Sequence, residues 1–229
     1  MGARSASERQ KAALKDAAVL KLGGSHALKP HLTGWLAAIA AEAGRVVVVP
    51  GGGPFADAVR EAQAAIGFDD AAAHDMALMA MAQFGRALQG LDPRFRPVCS
   101  IAAIRRALRA PAVPVWSPET MARAAKLPAT WDLTSDSLAA WLAGAIGARR
   151  LVLIKHGRFP AGGVAVEKLV ADGVVDPLFP RYLEGCGLKA SLAGPGDAPR
   201  LAEALRGGTF PEILAPKPFL RKRESAAEG

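Results

Sequence analysis

The sequence contains few cysteines, few aromatic residues and no long apolar run. Its two cysteines, Cys99 and Cys186, lie far apart and form no CxxC pair, which argues against a disulfide framework and against a cysteine-based zinc site. No apolar stretch approaches the ~20 residues that a membrane-spanning helix requires, and the charged N-terminus lacks the apolar core of a secretory signal. We therefore expect a soluble cytoplasmic protein with no membrane partner.

Positive charge is in excess, but it is not arranged as nucleic-acid binding requires. The chain carries 29 Lys and Arg against 21 Asp and Glu, a formal net charge of +8. Residues 1–16 and 217–229 each contribute a net +2, which leaves +4 for the rest of the chain. Aromatic residues are only 6%, and no basic stripe alternates with them. We expect no nucleic-acid partner, and the charge favours small anionic ligands.

Short apolar strand patterns alternate with helical patterns along most of the chain. The predicted strands are Val19–Leu22, Val46–Val49, Val98–Ser100, Val113–Trp116 and Leu151–Ile154, with weaker candidates at Val164–Val166, Leu188–Leu192 and Ile213–Leu214. The predicted helices are Pro30–Ala43, Phe55–Ala65, Asp70–Leu88, Ile101–Arg109, Thr134–Ile146 and Asp197–Leu205. This alternation predicts a mainly parallel sheet covered on both faces, a three-layer α/β/α sandwich. We expect one domain over residues 17–216, between a flexible N-terminal arm (1–16) and a flexible basic C-terminal tail (217–229).

Two glycine-rich loops follow the first two predicted strands. The first is Lys21-Leu22-Gly23-Gly24-Ser25, and the second is Gly51-Gly52-Gly53 after four successive valines. Glycines let backbone amides approach an anion and Lys21 would add positive charge, although a plain turn beside a solvent-directed lysine also explains the first loop. The chain contains neither a P-loop motif nor a dinucleotide-binding G-x-G-x-x-G after a strand. Because parallel strands end at one edge of the sheet, the two loops predict a ligand crevice there.

A third polar motif, Trp131-Asp132-Leu133-Thr134-Ser135-Asp136, opens a predicted helix. In one interpretation Thr134 or Ser135 caps the helix, and Asp136 interacts with the positive end of its dipole. In the other, Asp136 holds a lysine ammonium or backbone amides in position for a phosphoryl group that is being transferred. The segment alone favours neither interpretation.

The order of these three motifs resembles that of the amino acid kinase family, over roughly Val19 to Ala215. The resemblance implies an α/β/α fold, an ATP-dependent phosphotransferase activity, and Mg²⁺ together with the nucleotide. By residue match, Lys21 and Asp136 are the catalytic residues, and Asp136 fixes the lysine. The implied ATP-contacting residues of the first loop are Gly23, Gly24 and Ser25, and the implied acceptor-side residues are Gly51, Gly52, Gly53, Asp132, Thr134 and Ser135. No residue is assigned as a direct metal ligand.

Within the family, His74–Gly85 and Trp131–Ala143 are most similar to the small archaeal-type kinases of methanofuran biosynthesis. Those enzymes phosphorylate (5-(aminomethyl)furan-3-yl)methyl phosphate to its diphosphate, so the resemblance implies a phosphate acceptor that carries a cationic aminomethyl group. Asp75 and Asp132 are candidate partners of that amine, although an ordinary helix start also explains His74 and Asp75. The alternatives are a uridylate kinase-like enzyme, whose threonine–asparagine motif is absent here, and a nucleotide-binding or storage protein on the same fold.

The ATP side departs from the family pattern after the strand Leu151–Ile154. The family's T-D-x-x-G loop is replaced by Lys155-His156-Gly157-Arg158-Phe159, so either Lys155 and Arg158 contact ATP phosphates directly or the ATP site is impaired. Further ATP-side candidates are Asp172, within a segment 172–177 that resembles the one covering the nucleotide, and Lys168 or Lys189 as a second cation. We expect a homo-oligomer that binds ATP and a small-molecule acceptor.

Overall fold

The computed structural model of the protein describes residues 14, 16–26, 31–184 and 187–215. Its strands are β1 (Ala18–Leu22), β2 (Val46–Pro50), β3 (Phe95–Val98), β4 (Val113–Trp116), β5 (Arg150–Ile154), β6 (Val164–Ala165), β7 (Lys189–Ala193) and β8 (Ile213–Leu214). Its helices are α1 (Leu32–Ala41), α2 (Gly53–Ile66), α3 (Asp70–Leu91), α4 (Ile101–Ala107), α5 (Glu119–Ala124), α6 (Ser135–Ile146), α7 (Val166–Ala171), α8 (Phe179–Leu183) and α9 (Leu201–Arg206). The predicted arm 1–16 lies largely, and the predicted tail 217–229 and Cys186 entirely, outside the described residues.

Six parallel strands form the central sheet in the order β3-β4-β2-β1-β5-β7, and β6 pairs with β8 in a small separate sheet. Helices pack on both faces of the central sheet, so the predicted α/β/α sandwich is confirmed. From β1 the chain continues to β2 on one side, whereas β5 lies on the other side of β1. In a parallel sheet this reversal opens a crevice at the carboxyl ends of the central strands.

The two faces of the sheet are both apolar because consecutive strand residues point to opposite sides. On β2, Val47 and Val49 belong to the core cluster that includes α6, whereas Val46 and Val48 belong to the cluster that includes α1. All four valines are fully buried. The run of four valines therefore forms a central strand of a sheet covered on both faces, as β-branched residues without polar alternation predict.

Several element bounds differ from the sequence prediction. The strand predicted at Val98–Ser100 lies at Phe95–Val98, because Arg96 and Pro97 interrupt the apolar pattern; Pro97 is tolerated on β3, which pairs only with β4 in the described sheet. The helices α5, α7 and α8 were not predicted, since each has six residues or fewer and shows little periodicity. Helix α7 begins at Val166, which was predicted to end a strand. Among the described residues no helix has the length and apolarity needed to cross a membrane.

Candidate active site

The carboxyl ends of β1, β2 and β5 lie level with one another. Leu22 is paired with Pro50 on one side and with Ile154 on the other. Backbone hydrogen bonds extend this register, because Gly23 N donates to Ile154 O at 3.1 Å and Gly51 N donates to Leu22 O at 2.8 Å. The two glycine loops therefore lie side by side, at the edge of the sheet where the sequence places the ligand crevice.

The glycine loops contact each other backbone to backbone. A Cβ atom on Gly24 would overlap the backbone nitrogen and Cα of Gly53, and one on Gly51 would overlap the backbone nitrogen of Gly24. Gly53 also has a positive φ of 56°, a conformation in which other residues are strained. Glycine is therefore required for the loops to approach this closely, and both loops line the same cavity.

Strand periodicity places two lysines on the face of the sheet that α6 covers. Val19 of β1 and Leu153 of β5 belong to the core cluster that includes α6. Lys21 and Lys155 each follow two residues later, so their side chains leave the backbone on that same face. Helix α6 packs against β1, β2 and β5, and its first turn carries Asp136. The fold thus directs both lysines toward one carboxylate.

Asp136 forms ion pairs with both lysines. Lys21 Nζ lies 2.9 Å from Asp136 Oδ1, and Lys155 Nζ lies 2.6 Å from Asp136 Oδ2. Lys155 Nζ also donates a hydrogen bond to the carbonyl oxygen of Val174. Asp136 is only 3% exposed and Lys21 only 5%. Lys155 is therefore the second ammonium group at Asp136, whereas Lys168 and Lys189, the two candidates for a second ATP-side cation, do not line the cavity described below.

The charges of this cluster shift the pKa values of its members. Burial opposes ionisation of Asp136, but the ammonium groups of Lys21 and Lys155 outweigh it and lower its pKa. Burial and the neighbouring ammonium of Lys21 lower the pKa of Lys155 to about 8, against the attraction of Asp136. Two lysines around a single carboxylate give the cluster an excess of positive charge, which suits phosphoryl oxygens.

The N-terminus of α6 is capped by Asp176, not by the side chain of Thr134 or Ser135 as the sequence suggested. Asp176 Oδ2 accepts hydrogen bonds from Thr134 N (3.0 Å), Thr134 Oγ1 (2.8 Å) and Ser137 N (3.0 Å), and Asp176 Oδ1 accepts one from Ser137 Oγ. A carboxylate is a stronger acceptor than a hydroxyl, which explains why it replaces the local cap. Burial and the negative charge of Asp136 raise the pKa of Asp176. These bonds fix the turn that carries Asp136.

Both glycine loops and both lysines line one side of a cavity of about 270 Å³. Helix α2, helix α3 and the loop before α6 line its other side. On that side Arg60 Cζ lies 4.3 Å from the ring centroid of Trp131, and Trp131 Nε1 donates a hydrogen bond to Gln63 Oε1 at 2.8 Å.

His74 also lines the cavity. Burial lowers its pKa, and a hydrogen bond with the Thr130 backbone opposes that shift without reversing it, so the imidazole is neutral at pH 7.

Most of the predicted site residues lie around this one cavity. Those that line it are Lys21, Gly23, Gly24, Ser25, Gly51, Gly52, Gly53, Thr134, Ser135, Asp136 and Lys155. Asp132 is exposed and does not line it. Arg158 lines a different cavity of about 480 Å³, and Asp172 pairs at the surface with Lys168 at 2.8 Å. The roles of these three residues remain predictions from the sequence.

The residues at or near the site that were not assigned a role from the sequence include Asp57, Arg60, His74, Trp131 and Asp176. Asp176 lies within the segment 172–177 that the sequence did single out, but there Asp172 was preferred. His74 was explained as part of a helix start, whereas the α3 cap is Asp69, which accepts from Ala72 N at 2.8 Å. Arg60 follows the second glycine loop by two helical turns, a position that would have indicated it as a ligand-facing cation.

Two glycine loops and a lysine–aspartate–lysine cluster at the carboxyl edge of a parallel sheet are the components of a site for phosphoryl transfer. The profile of the amino acid kinase family matches residues 16–156, more than half of the chain. The chain belongs to the amino acid kinase family and is a phosphotransferase, as the resemblance implied.

Curated and solved relatives agree with this family. The chain is 22% identical to the [5-(aminomethyl)furan-3-yl]methyl phosphate kinase of Methanocaldococcus jannaschii over 202 residues, which cover 82% of this chain and 93% of that protein. The uridylate kinase from Archaeoglobus fulgidus has a TM-score of 0.65 at 17% identity, covering 86% of this chain and 100% of that one. The UMP kinase from Ureaplasma parvum has a TM-score of 0.62 at 16% identity, covering 89% and 100%. These structures share the fold.

Proposed function

We propose that this protein is an ATP-dependent kinase that phosphorylates a small phosphate ester, [5-(aminomethyl)furan-3-yl]methyl phosphate. The observation that carries the kinase activity is the cluster of Lys21, Asp136 and Lys155 between the two glycine loops. The cluster concentrates two ammonium groups where the first loop meets the acceptor-side loop. A phosphoryl group in flight between ATP and acceptor carries its charge on oxygens that such cations stabilise.

In this reaction an oxygen of the acceptor phosphate attacks the γ-phosphorus of ATP. The new P–O bond forms as the bond between the γ-phosphorus and the bridging oxygen breaks, and ADP leaves with the electron pair. The acceptor oxygen is already anionic, so the step requires no general base. Lys21 and Lys155 stabilise the charge on the transferred group, while Asp136 keeps both ammonium groups in place and does not contact phosphate.

The residues around the first glycine loop fit the phosphates of ATP. The backbone approach at Gly24 is one that a Cβ would block, and Lys21 and Lys155 supply positive charge beside it. No group of three or more His, Cys, Asp or Glu side chains in the described part of the chain is arranged to hold a metal ion. We therefore propose that Mg²⁺ is held mainly by the nucleotide phosphates, where it would neutralise charge on the β- and γ-oxygens.

Three observations support the choice of acceptor. The relative from Methanocaldococcus jannaschii, aligned over most of both chains, is named for this substrate. The cavity of about 270 Å³ is suited to a small molecule. On the acceptor side, the amides of Gly51–Gly53 at the start of α2 favour an anionic group, because a helix N-terminus carries partial positive charge.

The test is ADP release by the purified protein with Mg-ATP and one acceptor at a time. We expect ADP to form with the aminomethylfuran phosphate and much less with UMP or with no acceptor. Lys21→Ala should lower turnover by roughly 10²–10³-fold, since it removes one preorganised electrostatic contact. The matched control is Arg94→Ala, whose guanidinium pairs with Asp92 at the surface and does not line the cavity.

Thermal melts of both variants separate loss of chemistry from loss of folding. We expect each melting temperature to stay within a few degrees of the wild type. Unchanged turnover in Lys21→Ala contradicts the proposed site. Turnover of UMP in place of the furan phosphate contradicts the proposed acceptor but not the kinase activity, and nucleotide binding without ADP release favours a storage or binding protein.

A further inference from the structure

Two carboxylates line the described part of the cavity, of which one is buried and paired with lysines and the other is exposed. Among the described residues that line it, the carboxylates are Asp57 and Asp136. Asp136 is buried and engaged by two ammonium groups. The side chain of Asp57 is 67% exposed and projects from α2, one turn beyond the second glycine loop. A cationic ligand that enters the cavity therefore meets Asp57 and not Asp136.

Arg60, which pairs with Asp57, also contacts Trp131 and can keep that contact if the pair is broken. Arg60 Nη1 lies 3.0 Å from Asp57 Oδ1, but its guanidinium also stacks on the ring of Trp131. An exposed pair of this kind contributes little to stability, so exchanging it costs little. Trp131 is held independently, since Gln63 accepts from its indole and donates to Asp70 Oδ1 at 2.8 Å. Arg60 can thus remain on Trp131 while Asp57 binds another cation.

Asp75 and Asp132, the two residues that the sequence suggested as partners of the acceptor amine, are less suitable for that contact. Asp75 is paired with Arg123, whose Nη2 lies 2.8 Å from its Oδ2 and whose Nε donates to its Oδ1. Neither Asp75 nor Asp132 lines the cavity in the described structure. Asp57, which the sequence did not single out, is therefore the accessible carboxylate among the described residues that line the cavity.

We propose that Asp57 recognises the ammonium group of the acceptor, and that this contact gives the enzyme its preference for an aminated phosphate ester. The inference rests on the proposed function. Asp57 follows Gly53 by four helical residues, about 6 Å along the helix axis. The furan ring would then join the acceptor phosphate at the glycine loop to the ammonium at Asp57. Lys21 would supply positive charge at the phosphate end of the acceptor, and Asp57 negative charge at the ammonium end.

The experiment compares kcat/KM for two acceptors, [5-(aminomethyl)furan-3-yl]methyl phosphate and its analogue with methyl in place of aminomethyl. We expect the wild type to prefer the amine about ten-fold or more, as a charged hydrogen bond at a half-open site supports. Asp57→Asn should reduce that preference to near unity by raising KM for the amine, with kcat little changed. Asp57→Glu should restore part of the preference, because it restores the charge.

Control variants and outcomes distinguish this inference from the proposed function. Asp92→Asn also removes a carboxylate paired with an arginine, but Asp92 does not line the cavity, so the wild-type preference should persist. A preference that survives in Asp57→Asn, or that disappears in Asp75→Asn instead, overturns the inference and leaves the kinase proposal intact. A wild type that releases no ADP with either acceptor overturns the proposed function and, with it, this inference.

Discussion

At the scale of single residues, the site depends on one carboxylate shared by two cations. A buried carboxylate is costly unless it is paired, and here Lys21 and Lys155 both pair with Asp136. The same arrangement keeps two like charges close together, which is unfavourable without the carboxylate between them. Asp136 is therefore needed both for the fold around the site and for the positions of the ammonium groups.

Asp136→Asn should lower both stability and turnover. The amide has the shape of the carboxylate but no charge, so two buried ammonium groups would repel each other without a counter-ion. We expect a loss of roughly 3 kcal/mol in the free energy of unfolding, and turnover at least ~10-fold lower because the lysines shift. Urea unfolding and steady-state ADP release measure the two effects. Full activity in a stable variant would show that Asp136 serves only the helix N-terminus.

The lowered pKa of Lys155 predicts a pH dependence of turnover. Because its pKa in the ligand-free protein is about 8, the ammonium loses its proton as pH rises through 8, and we expect kcat/KM, which follows the free enzyme, to fall about ten-fold per unit well above that value. Lys155→Arg keeps its charge in this range, so its profile should remain flat to about pH 10. A wild-type profile as flat as that of Lys155→Arg would contradict a role for this ammonium in the transfer step.

The free energy of unfolding should rise with pH over the range in which turnover falls. The folded pKa of about 8 lies below the ordinary lysine value of 10.5, so between these pH values the unfolded chain binds the proton that folded Lys155 has released. The free energy of unfolding contributed by this group therefore rises with pH from 8 to 10.5. Below pH 8 the cost of keeping the buried ammonium charged is present in full.

At the scale of secondary-structure elements, the site is formed by loops that pack against each other and by a helix capped from elsewhere in the chain. The loops after β1 and β2 touch through backbone atoms at Gly24, Gly51 and Gly53. Helix α6 is held by Asp176, which follows α7 in the chain. The geometry of the candidate site thus depends on contacts between elements and not on any one loop.

Alanine at either close-contact glycine should separate the loops. Gly24→Ala or Gly51→Ala introduces a Cβ that overlaps backbone atoms, which cannot rotate away as a side chain can. We expect a loss of about 2 kcal/mol in stability from overpacking and roughly 10²-fold in turnover from a displacement of about 1 Å. The matched control is Gly90→Ala on α3, where the new methyl group meets open space.

That control should keep wild-type turnover and gain up to ~1 kcal/mol, since alanine is the better helix former. Thermal melts and ADP release on the three variants provide both readouts. If Gly24→Ala and Gly51→Ala behave like Gly90→Ala, the loops do not need this close approach for activity.

At the scale of the whole molecule, the position of the site follows from the order of the strands in the central sheet. β1 lies between β2 and β5, so β2, β3 and β4 form one half of the sheet and β5 and β7, which come later in the chain, form the other. The resulting crevice lies at the junction of the halves, where acceptor and nucleotide can face each other. The excess of basic residues, +8 over the chain, favours association with such anionic ligands.

Mg-ATP should stabilise the whole domain against unfolding. A ligand at 100 times its Kd contributes about 2.7 kcal/mol, which for a chain of this size raises the melting temperature by roughly 5–10 °C. Adenosine without phosphates should give a much smaller shift, because in the proposed complex the cations and loop amides contact phosphate. A thermal-shift titration checks this, and equal shifts for ATP and adenosine would contradict phosphate binding at the glycine loops.

The alternation of strands and helices, the two glycine loops and the family could all be predicted from the sequence, because they depend on local patterns. The fold prediction is confirmed, and Lys21, Asp136 and Lys155 were all identified as candidates. Three contacts could not be predicted in this way and depend on packing: Lys155 is the second partner of Asp136, Asp176 caps α6, and Asp57, not Asp132 or Asp75, lines the cavity. Contacts at the site join residues that are far apart in the chain: Asp176 lies 42 residues from Thr134, and Trp131 lies 68 residues from Gln63. Such pairs are set by how the elements pack, and no local pattern of residues specifies them.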